Sequence, residues 1–209
     1  MAEYYVPVDA GEAEFTEKRS RFLGHVRRVE TEAEARAFLD ETRKKYYDAR
    51  HNCWCYVLHE GGVVRYGDDG EPQGTAGQPM LNVFQREGVE NVVCVVTRYF
   101  GGVLLGAGGL TRAYAKSAKD ALDAAGKARM RLWSAVTVDC PYPMLERLKL
   151  LAAVHGGTVE GTDFGAAVSV HILLPQENAA DFDAALTELS AGTMTARRGG
   201  ERFLPGPRE

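Results

Sequence analysis

The stretch Asn91–Ala125, NVVCVVTRYFGGVLLGAGGLTRAYAKSAKDALDAA, constrains the fold of this chain more than any other. It opens with Val92, Val93, Cys94, Val95 and Val96, an unbroken apolar run that is mostly β-branched. Such a run, bounded by turn signals, predicts a strand buried on both faces. The pattern then breaks into Thr97-Arg98-Tyr99-Phe100 and a loop holding Gly101, Gly102, Gly106, Gly108 and Gly109. From about Leu110 the period turns helical. Leu110, Tyr114, Ala118, Ala121, Leu122 and Ala125 share one face, and Arg112, Lys116 and Lys119 share the opposite one.

Glycines let the backbone approach a ligand closely, and the helix that follows points free N–H groups at the loop. A strand, a glycine loop, a helix N-terminus and a basic stripe together suit an anion such as phosphate. The named phosphate motifs fail, however. Walker spacing from Gly101 reaches Gly106 but then meets Ala107 where lysine is required. The dinucleotide fingerprint fits Gly106 and Gly108 but has Thr111 at its third glycine. Two readings stand: a close packing turn beside a solvated basic face, or a contact for phosphate or a nucleic-acid backbone.

A chain of 209 residues fits one large or two small domains. With 45% apolar and 26% charged residues it has the composition of a folded globular protein. The net charge is −4, and acidic residues outnumber basic ones on both sides of Gly126, so neither half is a basic module. Contact with nucleic acid would have to come from local patches. The opening Met-Ala-Glu-Tyr-Tyr lacks the regions of a signal peptide, and no uncharged apolar run approaches the roughly 18 residues of a membrane helix. Four cysteines in this length make no disulfide framework. The expectation is a cytoplasmic protein with reduced thiols, no membrane contact and no disulfide-linked partner.

In chain order, short strands are predicted at 3–8 and about 13–18, and a third from Phe22 to Val29. Thr31 followed by Glu34 forms a capping box. The helix it opens runs to about Tyr46, buries Ala35, Phe38, Leu39 and Thr42, and ends in Arg43-Lys44-Lys45, which suits its dipole. Cys53–Leu58 and Val63–Tyr66 form a hairpin. The polar turn from Gly67 to Gly74 leads to a helix that starts at Gly74 or Thr75 and reaches about Arg86. After Lys127 the pattern restarts as strand, helix, two strands, helix and strand, the ferredoxin-like order. The domain boundary falls at 126/127, giving domains of residues 1–126 and 127–209.

Three groups of residues could carry chemistry. Asp68, Asp69 and Glu71 share one glycine-flanked turn, where they could hold Mg²⁺, build an ordinary exposed turn or face a partner. His51, Cys53, Cys55 and His59 alternate along one strand, but residues 51 and 59 are about 26 Å apart in an extended chain, too far for one tetrahedral zinc. Buried thiols explain the cysteines better. None of the five histidines lies in a nucleophile motif, and neither Ser20 nor Ser117 sits in a nucleophile elbow.

DDGEP (68–72), GTAGQP (74–79) and RYFGGVLLGAGGLTRAY (98–114) together resemble the IMPACT/YigZ family over roughly the first 125 residues. Gln78 stands where a basic residue is frequent in that signature, and Gln73 where a small one is common. The resemblance implies an α+β protein. Its N-terminal domain is similar to the second domain of a small-subunit ribosomal protein, with helices on one side of a sheet. Its C-terminal domain is ferredoxin-like, similar to the last domain of elongation factor G. It also implies a role in translation, since the eukaryotic members restrain the starvation-response kinase by competing for its activator protein.

The expected function is a non-enzymatic, translation-associated binding protein that touches RNA or a ribosome-associated factor and needs no cofactor. Its face would comprise Asp68, Asp69, Glu71, Thr75, Arg98, Tyr99, Phe100, Gly101, Gly102, Gly106, Arg112 and Lys116. Arg98, Arg112 and Lys116 would meet phosphates, while Tyr99 and Phe100 stack on bases or pack against a partner. One alternative is a phosphoryl-transfer or phosphate-ester enzyme with a metal on Asp68, Asp69 or Glu71. The other is a protein–protein adaptor without nucleic acid.

Overall fold

In the computed structural model, which describes residues 4–209, the run 92–96 is the heart of a strand with helices over both its faces. That strand, β6 (Val92–Tyr99), is the middle of a five-stranded antiparallel sheet. It pairs on one side with β3 (Ser20–Arg28), which pairs with β2 (Gly11–Glu17), and on the other with β4 (His51–Leu58), which pairs with β5 (Val63–Gly67). A short strand, β1 (Tyr5–Pro7), occupies part of the strand expected at 3–8, of which residue 3 lies outside the described residues.

Period-two alternation sends Val92, Cys94 and Val96 to one face of the sheet. There they pack with Met80 and Phe84 of α2 (Gly77–Arg86) and with Leu110, Tyr114 and Leu122 of α3 (Gly106–Ala125). Val93 and Val95 point the other way, onto Ala35, Phe38 and Leu39 of α1 (Glu32–Lys45). Helices therefore cover both faces, not one side as the resemblance implied. A strand apolar on both faces needs cover on both, and the amphipathic α1 supplies the second.

The expected start of α1 is observed. Thr31 Oγ1 accepts the Glu34 N–H at 3.2 Å, the Glu34 carboxylate accepts the Thr31 N–H at 3.2 Å, and Ala35, Phe38, Leu39 and Thr42 are buried. Three boundary differences bear on the site. β6 continues through Tyr99, because Thr97 and Arg98 are held inside the sheet: Thr97 Oγ1 donates to Asn52 Oδ1 at 2.7 Å, and Arg98 stands in register with Phe22 and His51. α3 begins at Gly106, four residues early, so Gly106, Gly108 and Gly109 form its first turn. α2 begins at Gly77, since its cap comes from a carboxylate far upstream (below).

The chain divides into two compact units, residues up to Met130 with Pro205–Glu209, and Arg131–Leu204. The second contains most of β7 (Lys127–Cys140), then α4 (Leu145–Val154), β8 (Thr158–Phe164), β9 (Val168–Pro175), α5 (Ala179–Ser190) and most of β10 (Ala196–Arg208). The strands lie in the order β10-β7-β9-β8, the ferredoxin-like βαββαβ topology. Alternate residues Val136, Val138, Val170 and Ile172 pack with Leu148 of α4 and Phe182 of α5. The α+β class and ferredoxin-like tail are thus as the sequence indicates. All four cysteines are free and buried. Among the described residues no helix is long and apolar enough to cross a membrane.

Candidate functional site

The turn after β5 is built by its own carboxylates. Asp68 turns inward, so that Oδ2 accepts the Gly74 N–H at 2.8 Å and Oδ1 accepts those of Ala76 and Gly77 at 3.1 and 2.8 Å, which caps α2. Asp69, in the left-handed region at φ 44°, accepts from Arg43 at 2.9 Å and from the Asn52 N–H at 2.7 Å. Thr75 is buried and donates to the Pro72 carbonyl at 2.6 Å. Glu71 leaves the turn for the interior. Its Oε1 accepts from Arg98 Nη1 at 2.6 Å and from the Tyr114 hydroxyl at 2.7 Å. Each carboxylate is thus committed to holding the turn, and no group of three His, Cys, Asp or Glu among the described residues could hold a metal ion.

Glu71 and Arg98 form a buried ion pair, with side chains 4% and 5% exposed. Arg98 also donates to Ser20 Oγ at 3.2 Å, and its guanidinium lies 5.4 Å and 5.5 Å from the Phe22 and Phe100 ring centres. Such a pair holds its geometry because either charge alone would be stranded in low dielectric. Burial, and after it Cys53 and Glu71, push the Tyr114 phenol well above its ordinary range, so it stays a proton donor to Glu71. Arg98 is therefore part of the core, its charge matched by Glu71, and not an exposed contact for a nucleic-acid backbone.

Beyond Tyr99 the backbone needs a glycine. A Cβ on Gly101 would lie 2.0 Å and 2.1 Å from the carbonyl carbon and oxygen of Arg19, and the Gly101 N–H donates to Ser20 Oγ at 3.3 Å. The loop is thereby pinned to the β2–β3 turn. Gly102 and Gly106 adopt positive φ, 83° and 69°. Between them Val103 and Leu104 face solvent, Leu104 at 83% exposure, and Phe100 is 40% exposed.

Loop, DDGEP turn and α3 enclose a cavity of about 370 Å³ whose wall includes Arg50, His51, Glu71, Arg98, Phe100 and Gly106. His51 Nδ1 lies 2.8 Å from the Asp69 carbonyl oxygen, which sets Nδ1 as the protonated nitrogen. Its Nε2 is 4.0 Å from Glu71 Oε1. Arg112 and Lys116 lie elsewhere, in a groove of about 210 Å³ bounded by Phe15, Glu17, Lys18 and Leu105. Lys116 lies 5.0 Å from the Phe15 ring centre and pairs with Asp120 at 2.5 Å, whereas Lys18 and Arg112 enter no ion pair among the described residues. Tyr99 bonds Asp48 at 2.8 Å, with Arg21 above its ring.

The expected face thus separates into parts. Glu71, Arg98, Phe100 and Gly106 meet at the cavity, and Arg112 and Lys116 at the groove. Gly101 and Gly102 shape the loop, while Asp68, Asp69 and Thr75 build the turn. Sequence reasoning missed Arg50 and Lys18, and weighed His51 only as a zinc ligand, a reading it set aside. The cue for His51 was pairing across the sheet, where it stands opposite Arg98.

Comparison with known proteins matches the model of the Impact N-terminal domain to residues 18–122, and that of a domain of unknown function to residues 138–193. Over 205 residues the chain is 34% identical to IMPACT family member YvyE of Bacillus subtilis, spanning 98% of this chain and 94% of that one. It is 34% identical over 180 residues to IMPACT family member YigZ of Escherichia coli, spanning 85% and 88%. A crystal structure described as that of a hypothetical protein matches with a TM-score of 0.60 at 32% identity, spanning 96% of this chain and 98% of that one. With the Impact N-terminal domain matched across half its length, and relatives alike from end to end, this chain belongs to the IMPACT family.

Proposed function

We propose that this chain is a non-enzymatic binding protein of the translation apparatus, and that the α3 groove receives the backbone of an RNA. The observation that carries this reading is the imbalance of available charge beside the glycine loop. The acids of the DDGEP turn are consumed by internal hydrogen bonds, while Lys18 and Arg112, in no ion pair among the described residues, line the groove with Lys116, which is paired with Asp120, against the carboxylate of Glu17. Exposed cations along one groove suit a phosphodiester chain, and Phe15, stacked on Phe22 with Lys116 over its ring, gives the groove an apolar wall. Membership of the family supports the setting, because its eukaryotic members act on translation. The same commitment of carboxylates weighs against the phosphoryl-transfer alternative, which needs at least one of them free for a metal.

The test is a filter-binding titration of the full chain with single-stranded, duplex and ribosomal RNA at two salt concentrations. Arg112→Glu with Lys116→Glu should weaken binding steeply and lower the slope of log K against log salt by roughly 0.7 for each single-strand phosphate that is no longer neutralised. Unchanged affinity at low salt removes the groove from consideration. One observation favours a second reading, a ribosome-associated protein as partner: Phe100, Val103 and Leu104 form an exposed apolar cluster. On that reading Leu104→Asp abolishes recovery of ribosomal fractions by the tagged chain, and the groove variant does not.

A further inference from the structure

The cavity between the DDGEP turn and α3 is separate from the groove, and its wall has unused binding capacity. Arg98 is 4% exposed and lines it, yet its buried Nε–H has no acceptor among the described residues. A buried unpaired donor is costly unless something reaches it. Gly106 and Ala107, which open the twenty-residue α3, line the same space. The residue before them, Leu105, provides no side-chain cap, so the first-turn N–H groups keep their donor capacity and the positive end of the helix is uncovered. Arg50 adds a second guanidinium, 5.8 Å from the Phe100 ring centre, and His51 is already oriented by its bond to Asp69. The one acid in the wall, Glu71, is matched by Arg98 and Tyr114. The remainder is apolar: Pro72, Phe100, Leu104 and Leu110.

We infer that this cavity binds a phosphate monoester attached to a flat or apolar body, with the phosphate at the α3 N-terminus between Arg50 and Arg98 and the body against Phe100. The Arg50 guanidinium, the one uncommitted N–H of Arg98 and an uncapped helix end match a terminal phosphate better than a diester in mid-chain. A cavity of about 370 Å³ holds one nucleotide-sized group and no more. Two sources share this chemistry, a free nucleoside monophosphate and the phosphorylated end of an RNA.

Thermal unfolding of the full chain with adenosine monophosphate, adenosine or inorganic phosphate provides the test, since a ligand selective for the native state raises its midpoint. Adenosine monophosphate should stabilise and adenosine should not. Arg98→Ala is uninformative if it unfolds the unit, so the variants are Arg50→Ala and Leu104→Glu, both at exposed positions on the cavity wall. Each should weaken adenosine monophosphate at least tenfold, whereas Arg112→Glu with Lys116→Glu leaves its affinity unchanged. That last variant separates this inference from RNA binding in the groove, so either can fail alone. A 5′-phosphorylated oligoribonucleotide that displaces adenosine monophosphate, where its 5′-hydroxyl twin does not, identifies an RNA end as the source. Displacement by neither oligonucleotide identifies the free nucleotide. Equal stabilisation by adenosine and its monophosphate, no stabilisation at millimolar ligand, or full affinity in both cavity variants would overturn the inference.

Discussion

Replacing Arg98 by methionine should be among the most destabilising single changes in the first unit. The thioether fills part of the guanidinium's space but leaves the Glu71 carboxylate, 4% exposed, with the Tyr114 hydroxyl as its one remaining side-chain hydrogen bond among the described residues. Breaking one side of a buried pair typically costs about 3–5 kcal/mol, which for a chain of this size lowers the midpoint by on the order of 10 °C. Removing both charges is different. Glu71→Leu with Arg98→Met abandons the hydrogen bonds to Tyr114 and Ser20 but strands no ion, so the double variant should be more stable than Arg98→Met alone. The coupling between the two sites should then exceed about 2 kcal/mol. The assay is denaturant unfolding followed by Trp54 in a Trp133→Phe background, since Trp54 lies on β4 of the first unit and Trp133 on β7 within the second. A loss below about 1 kcal/mol in Arg98→Met, or additive effects in the double variant, would refute a buried ion pair at the cavity floor.

Three further outcomes follow from particular contacts. Gly101→Ala drives a Cβ into the Arg19 backbone and should lose about 1–3 kcal/mol, more than Gly102→Ala, where no atom lies within 4 Å and only the positive φ penalises a side chain; equal losses contradict the pinned loop. Burial pushes the His25 imidazole below its ordinary 6.5, with Glu12 opposing and Lys45 assisting, while Tyr46 stacks on the ring. The unfolded chain therefore binds the proton more readily, so stability is full above about pH 6.5 and declines as pH falls towards the depressed folded value. His25→Leu should flatten that decline, and equal wild-type stability at about pH 7.5 and about pH 5 excludes the effect. In the second unit the Arg197 guanidinium, and after it Ser169, hold the Asp139 carboxyl down to about 2, so its NMR titration midpoint should rise towards the ordinary 3.8 in Arg197→Ala.

What could be read from the sequence was whatever neighbouring residues determine. Five apolar residues specify a strand covered on both faces, Thr31 and Glu34 specify a helix start three residues apart, and the order of elements after Lys127 specifies a ferredoxin-like unit. What could not be read was assigned by partners distant in the chain. Asp68 caps a helix that begins nine residues later, so α2 starts at Gly77 and not at the local candidates Gly74 or Thr75. Arg98 looks like the first cation of a loop, yet Ser20, Glu71 and Phe22 draw it into the core. Gly106, Gly108 and Gly109 have poor helix propensity, and tertiary packing of Leu110 and Tyr114 extends the helix through them regardless.

Net charge misleads for the same reason. A chain of −4 would not be expected to bind anions, but a ligand meets only the charges left unpaired where it lands. At the groove these are exposed lysine and arginine side chains, which added salt screens within about 8–10 Å. At the cavity Arg98 is matched by Glu71, and what remains is its buried Nε–H beside Arg50 and a helix end, in a recess where salt penetrates poorly. RNA affinity should therefore fall steeply between low and physiological salt, while adenosine monophosphate affinity falls little over the same range. If the two decline in parallel, the ligands share one exposed surface and the separation of cavity from groove is wrong.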